Sequence, residues 1–201
     1  MATCPNPSRN ITAKIRAVGV DDGAFHADEG NARQTLLLAV LFQDLHISTL
    51  RVGFIQVDGR DANRVLASLL RPIAFDVIML SGISFAGFNL VDINQLARDT
   101  RRPVVAVTGE RPDNHAVRKA LRGHFDDWKD RWQMVSSAGR LYSCKPLRDE
   151  PKLYFEVRGA SPDFAREVIR ATAVISRLPE PIRVARILAR GLSTLIQTSF
   201  P

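Results

Sequence analysis

Asp21, Asp22, His26, Asp28 and Glu29 crowd into nine consecutive residues directly after the apolar run Ile15 to Val20. Hard cations such as Mg²⁺ take carboxylate oxygens and keep several waters, so one or two of these acids suffice for a metal site. If the strand continues through them, Asp21 and Asp22 point to opposite faces and only one is a direct ligand. The competing reading is a solvated acidic turn around Asp22-Gly23. In a second acidic stretch, VDGRDAN (57–63), Asp58 ends a strand and Asp61 precedes a helix. Either Asp58-Gly59 is a turn and Asp61 a helix cap, or Asp58 brings a second carboxylate to the same ion, as in phosphodiester-cleaving enzymes.

Two further stretches carry binding chemistry. In SGISFAGFNLVD (81–92), Gly82 and Gly87 permit close backbone approach, and a helix starting near Leu90 offers free N–H groups to a phosphate. Phe85 and Phe88 either stack on a base or fold onto the core. Asn89 is a cap or a base-edge reader; Asp92 is a first-turn acid favoured by the helix dipole or a further metal ligand. The spacing fits neither the Walker nor the Rossmann glycine pattern. In TGERPDN (108–114), Arg111 is either a phosphate clamp or an exposed loop arginine.

These residues need a frame. Ile15 to Val20 reads as a first strand, and Thr35 to Phe42 and Ile47 to Val57 as a hairpin turning at Gln43 to His46. A helix with Val65, Leu66, Leu69 and Leu70 on one face follows, closed by Pro72. The second half repeats strand, helix and strand over Phe75–Leu80, Val91–Thr100 and Pro103–Thr108, with Arg111 at the same sheet edge as the other motifs if the crossover is right-handed. Asp113 caps a further helix. The stretch Phe125 to Gly139 is mixed, with Trp128 and Trp132 one turn apart and read as core packing. A late strand (Leu153–Val157), a helix (Asp163–Ala173) and an amphipathic helix (Pro181–Leu192) complete the pattern. Three antiparallel strands leading into α-β crossovers make a mixed α/β sheet flanked by helices, for which a ribonuclease-H-like topology is natural and a doubly wound sheet the rival.

A length of 201 residues suits one domain, and 45% hydrophobic residues suit a real core. No apolar run reaches the roughly 20 residues that span a bilayer, and Met1 to Asn10 has no signal-like stretch, so a cytoplasmic, membrane-free protein is expected. Cys4 and Cys144 are expected as free thiols, with Cys144 in a loop. The net charge of +7 and pI near 10.1 favour a polyanionic partner, nucleic acid above all.

Five segments, VGVDDGAF, VDGRDA, SGISFAGFNLVD, RPVVAVTGERPD and PEPIRVARILARG, run in this order from about Ile15 to Leu192. Together they resemble the archaeal endonuclease dU family. That family is similar to endonuclease V, which has the ribonuclease-H-like fold and cuts DNA or RNA beside a deaminated base using Mg²⁺. With the Pro-rich start read as a flexible tail (1–12), the resemblance implies one domain (13–201) forming a Mg²⁺- or Mn²⁺-dependent endonuclease. Its substrate would be DNA with deoxyuridine-type lesions, a DNA-repair role, with RNA the alternative partner. On this resemblance Asp21 stands at the first metal carboxylate and Asp58 or Asp61 near the second. The third carboxylate of endonuclease V lies after the fourth strand, where this chain has Leu80-Ser81-Gly82. Asp92 or Asp22 fills that place, or the ion is held weakly, or the chain binds nucleic acid without cutting it. The aromatic-Ile-Pro wedge of endonuclease V has no counterpart, leaving base extrusion to Phe85, Phe88 or another loop. The expected catalytic set is Asp21, Asp58 and Asp92. The expected metal set is Asp21, Asp22, Asp58 and Asp61, and the expected nucleic-acid contacts are Gly82, Phe85, Gly87, Phe88, Asn89 and Arg111. A third option is a small-nucleotide enzyme with its pocket in SGISFAGFN.

Overall fold

Short runs of Val, Ile, Leu and Ala set the frame, because apolar, partly β-branched side chains pack well on a pleated surface covered on both sides. The structure, a computed structural model, describes residues 15–25 and 34–199. In chain order its elements are β1 (Arg16–Asp22), β2 (Gln34–Gln43), β3 (His46–Gln56), α1 (Ala62–Leu70), β4 (Val77–Leu80), β5 (Ser84–Phe85), β6 (Asn89–Leu90), α2 (Ile93–Thr100), β7 (Val104–Thr108), α3 (Asn114–His124), α4 (Trp128–Ser137), β8 (Tyr142–Cys144), β9 (Leu153–Arg158), α5 (Pro162–Thr172) and α6 (Glu180–Ser199). Seven strands form one mixed sheet in the order β3-β2-β1-β4-β7-β9-β8. The central β1, β4 and β7 are parallel, and antiparallel strands flank them on both sides.

Strand alternation divides the core into two layers. Val18, Val20, Ile78, Leu80, Val104 and Ala106 face Leu66 and Leu70 of α1 and Ile93 and Leu96 of α2. Ala17, Val77, Met79, Val105 and Phe155 face Ala165 and Ile169 of α5 and Ile182 of α6. β2 is buried on both sides because Leu38, Val40 and Phe42 also pack on Ala185 and Ala189 of α6. The mixed sheet flanked by helices expected from the sequence is thus present. Asp44 and Leu45, both with positive φ, make the tight β2–β3 turn.

Four local readings change. The glycine-rich segment folds into the small β5–β6 hairpin, and α2 begins at Ile93, later than Leu90. The mixed stretch 125–139 contains the regular helix α4. Cys144, expected in a loop, is buried in β8 and remains a free thiol. Trp128 and Trp132 are half-buried rather than central: Arg122 and Lys129 lie over Trp128, and Arg118 over Trp132. Among the described residues no helix is long and apolar enough to cross a membrane.

Candidate active site

Because β1, β4 and β7 run parallel, their C-terminal ends share one sheet edge, and this edge gathers Asp21-Asp22, Ser81-Gly82 and Thr108-Gly109. Asp21, 4% exposed, is the most thoroughly held acid there. Its Oδ1 accepts from the Ser81 hydroxyl and, at 3.0 Å, from the Asp22 amide; its Oδ2 accepts from Arg186 Nε of α6 at 2.7 Å. Asp22, at the strand's end, accepts from the Ala86 amide in the glycine-rich hairpin. Burial pushes the Asp22 carboxyl up to about 6, against the pull of the Ala86 amide, and the neighbouring Asp21 carboxylate adds to the rise. The two acids therefore take partners from different elements, α6 and the hairpin, yet still feel each other. His26, Asp28 and Glu29 lie outside the described residues.

The other acids are spent on holding loops. Asp58 has φ +56, its amide donates to Ala86 O at 2.7 Å, and its carboxylate accepts from the Phe88 amide at 2.8 Å. Gly87, at φ +79, is the residue that lets the hairpin pass: a β-carbon there would run into the Asp58 carboxylate. Asp61 precedes α1 but its side chain does not cap it; Oδ1 accepts from Asn89 Nδ2 at 2.6 Å and from the Gln56 amide at 3.2 Å. Asp92 is the cap of α2, accepting from Asn94 and Gln95 amides at 2.9 and 3.1 Å. Those amides are thereby taken, which removes the anion site expected at this helix start. Asp21, Asp58 and Asp92 do not converge: among the described residues no three His, Cys, Asp or Glu side chains are grouped to hold a metal ion.

The expected nucleic-acid contacts divide in the same way. Phe85 is buried in the core and Asn89 is fully buried, its Oδ1 accepting from the Ala62 amide and its Nδ2 donating to Gln56 O. Neither faces a ligand. Phe88 is half-buried, edge-on to Phe125 at 5.6 Å, and lines a pocket of about 280 Å³ together with Gly82. Gly87 and Arg111 are exposed.

Besides Arg186, the partner of Asp21, Arg131 and Glu156 escaped the sequence reading. Arg131 of α4 is 6% exposed, and its guanidinium lies 4.2 Å from the Phe125 ring centre. It donates to Asp127 at 2.7 Å and to the carbonyls of Asp58, Gly59 and Phe88 at 3.0, 3.1 and 2.7 Å, tying both loops to the helix. Glu156 of β9 faces the same pocket as Ser81 and Phe88, and burial pushes its carboxyl up to about 7. The unfolded chain would release this proton near the ordinary glutamate value of 4.5, so folding opposes ionisation. Stability from this group is complete below about pH 4.5 and lost as pH rises through about 7. The full rise is worth about 3 kcal/mol; because Glu156 is only half-buried, Glu156→Gln should gain about 2 kcal/mol relative to wild type between pH 4.5 and 8, read as diverging urea midpoints. Parallel midpoint curves would show the carboxyl to be ordinary.

The family model for endonuclease dU matches residues 13–193. A UPF0215 protein from Methanopyrus kandleri is 39% identical over 191 residues, covering 92% of this chain and 94% of its own. One from Thermococcus sibiricus is 37% identical over 189 residues, covering 92% and 95%. Among solved structures, a protein of unknown function from Archaeoglobus fulgidus superposes with TM-score 0.77 at 27% identity, over 89% of this chain and 98% of that one. Endonuclease V from Bacillus subtilis superposes with TM-score 0.62 at 11% identity, over 91% and 82%. Endonuclease V from Ciona intestinalis, in complex with a 24mer DNA containing an inosine followed by a ribo-adenosine, gives 0.58 at 12%, over 94% and 90%. The sheet and its helices therefore have the ribonuclease-H-like fold of endonuclease V.

Proposed function

The chain belongs to the endonuclease dU family, and from that premise we propose that it is a metal-dependent endonuclease hydrolysing DNA beside a deoxyuridine-type lesion. The observation that carries this reading is the Asp21-Asp22 pair at the sheet edge, Asp21 buried and Asp22 half-buried. Desolvation and the Asp21 carboxylate beside it make ionising Asp22 costly, a cost that a divalent cation would relieve. The two acids fit Mg²⁺ or Mn²⁺ in its sparest form, two carboxylates with the remaining positions left to water. Such an ion, when bound, supplies charge for the developing phosphate oxygens and lowers the pKa of water.

The chain's own groups do the rest. The Ser81 hydroxyl and Arg186 Nε hold the Asp21 carboxylate in one orientation. In hydrolysis a water oxygen bonds to phosphorus, the phosphodiester P–O bond breaks, and the leaving oxygen takes a proton. Asp58, Asp61 and Asp92 shape the loops and leave the metal set, which narrows to Asp21 and Asp22. His115, Arg118, Lys119 and Arg122 line an exposed groove on α3, suited to the DNA backbone flanking the cut.

Clean protein should nick a uracil-containing duplex with Mg²⁺ or Mn²⁺ and leave it intact in EDTA. Nicking undiminished by EDTA overturns the metal reading. A second reading has its own observation: Ser81 stands where a third acid is expected, and Arg186 already neutralises Asp21. Salt-sensitive binding of DNA with no nicking under any divalent cation would favour this second reading, a binding protein without the chemistry.

A further inference from the structure

The pocket beside the acid pair contains polar chemistry that phosphodiester cleavage does not use. It lies between the glycine-rich segment, α3, α4, the end of β7 and the middle of β9. Val117, Val135, Leu141 and Phe88 give it apolar walls of the kind that suit the faces of a flat ring. Two side chains in this lining keep hydrogen-bonding capacity to spare. The Thr108 hydroxyl is buried with no hydrogen bond, and the Glu156 carboxyl is offered only its own backbone amide. Buried polar groups are normally paired, so an unpaired Thr108 hydroxyl beside a half-buried carboxyl held only by its own amide marks a place that a ligand completes.

Resting on the reading that this chain acts beside a damaged base, we propose that the pocket takes one nucleobase out of the stack and that Glu156 anchors its hydrogen-bonding edge. Uracil presents a ring N–H next to a C=O. A neutral carboxyl presents one O–H donor and one C=O acceptor side by side, so the two edges pair with both bonds made. The rise of Glu156 to about 7 keeps that neutral form available near neutral pH. The Thr108 hydroxyl is left to meet a second oxygen or N–H of the ring. A carboxyl of this kind also pairs with the N3/N4 edge of cytosine, turned the other way. Glu156 therefore anchors the base once it is out, and selection falls on how readily a mispaired base leaves the duplex.

The test is binding without chemistry. Full-length protein in EDTA is titrated with a duplex holding one U·G mispair, and with the same duplex holding an abasic analogue in place of uracil. Wild type should bind the uracil duplex about 10-fold or more tighter, as expected for two desolvated hydrogen bonds and a buried ring. Glu156→Ala should collapse that ratio toward one. Glu156→Gln, which keeps a donor beside an acceptor, should preserve most of it. Thr108→Val, nearly isosteric, serves as a second probe and should reduce the ratio in part. A wild-type ratio of one, an unchanged ratio in Glu156→Ala, or a Gln variant as weak as Ala overturns the proposal. Nicking is scored separately: a uracil preference with no nicking overturns the nuclease and keeps the pocket. Nicking without a uracil preference does the reverse.

Discussion

Asp21→Asn should lower nicking of a uracil-containing duplex by about 10³-fold or more while leaving the protein folded, the reduction expected when the charge that organises a hydrolytic site is removed. Asparagine has the shape of aspartate, so its Oδ1 can still accept from the Ser81 hydroxyl as Asp21 does. What changes is the other oxygen. An amide nitrogen there faces Arg186 Nε, donor against donor, and the ion pair is lost. Because the Arg186 side chain is 40% exposed, water takes up its freed donors, and the loss should stay near 1 kcal/mol. That corresponds to about 2–4 °C in Tm. Asp22 would also lose the neighbour that helps hold its carboxyl up, leaving one carboxylate where two stood. Asp92→Asn is the matching control: asparagine caps a helix about as well as aspartate, so α2 and nicking should both survive. Equal nicking by wild type and Asp21→Asn would remove the acid pair from the chemistry.

The frame was legible in the sequence wherever the signal was local. The first strand, the β2–β3 hairpin and the Asp113 cap depend on neighbours a few residues away, and periodicity or cap chemistry reveals such neighbours. The site was legible only in outline. Asp58, Asp61 and Asn89 look like ligands or readers because their real partners are far along the chain: 30 residues to the Phe88 amide for Asp58, 28 between Asp61 and Asn89, 165 between Asp21 and Arg186. Asp92 carried both readings in the sequence, and two backbone amides decide for the cap. Glu156 shows why a pattern can mislead. In LYFEVR, Leu153, Phe155 and Val157 are the buried face, which makes Glu156 look like an ordinary solvent-side residue. Only the packing of α4 and the glycine-rich segment reveals that this second face is covered too.

Gly19→Val should be the most disruptive single change in the first strand, although strand propensity favours valine over glycine. The residue sits mid-strand between buried neighbours, so by local preference the substitution should help. Tertiary contact decides otherwise. The first turn of α6 crosses β1 at this point, and a β-carbon on Gly19 would overlap the backbone of Pro181 and Ile182. Backbone cannot rotate aside as a side chain can, so the helix must lift. Lifting α6 uncovers Leu38, Val40 and Phe42 and draws Arg186 away from Asp21. The expected loss is about 4 kcal/mol or more, above ordinary overpacking because the obstacle is main chain. For a chain of this size that is about 8–16 °C in Tm. Gly123→Ala supplies the opposite sign. That glycine lies within α3 with nothing within 4 Å of an added β-carbon, so alanine should stabilise by about 0.5–1 kcal/mol through helix preference and a less entropic unfolded chain. The pair separates contact from propensity. If both variants shift Tm in the direction of propensity, the docking of PEPIRVA onto the glycine of VGVDD is not what holds α6 over the acid pair.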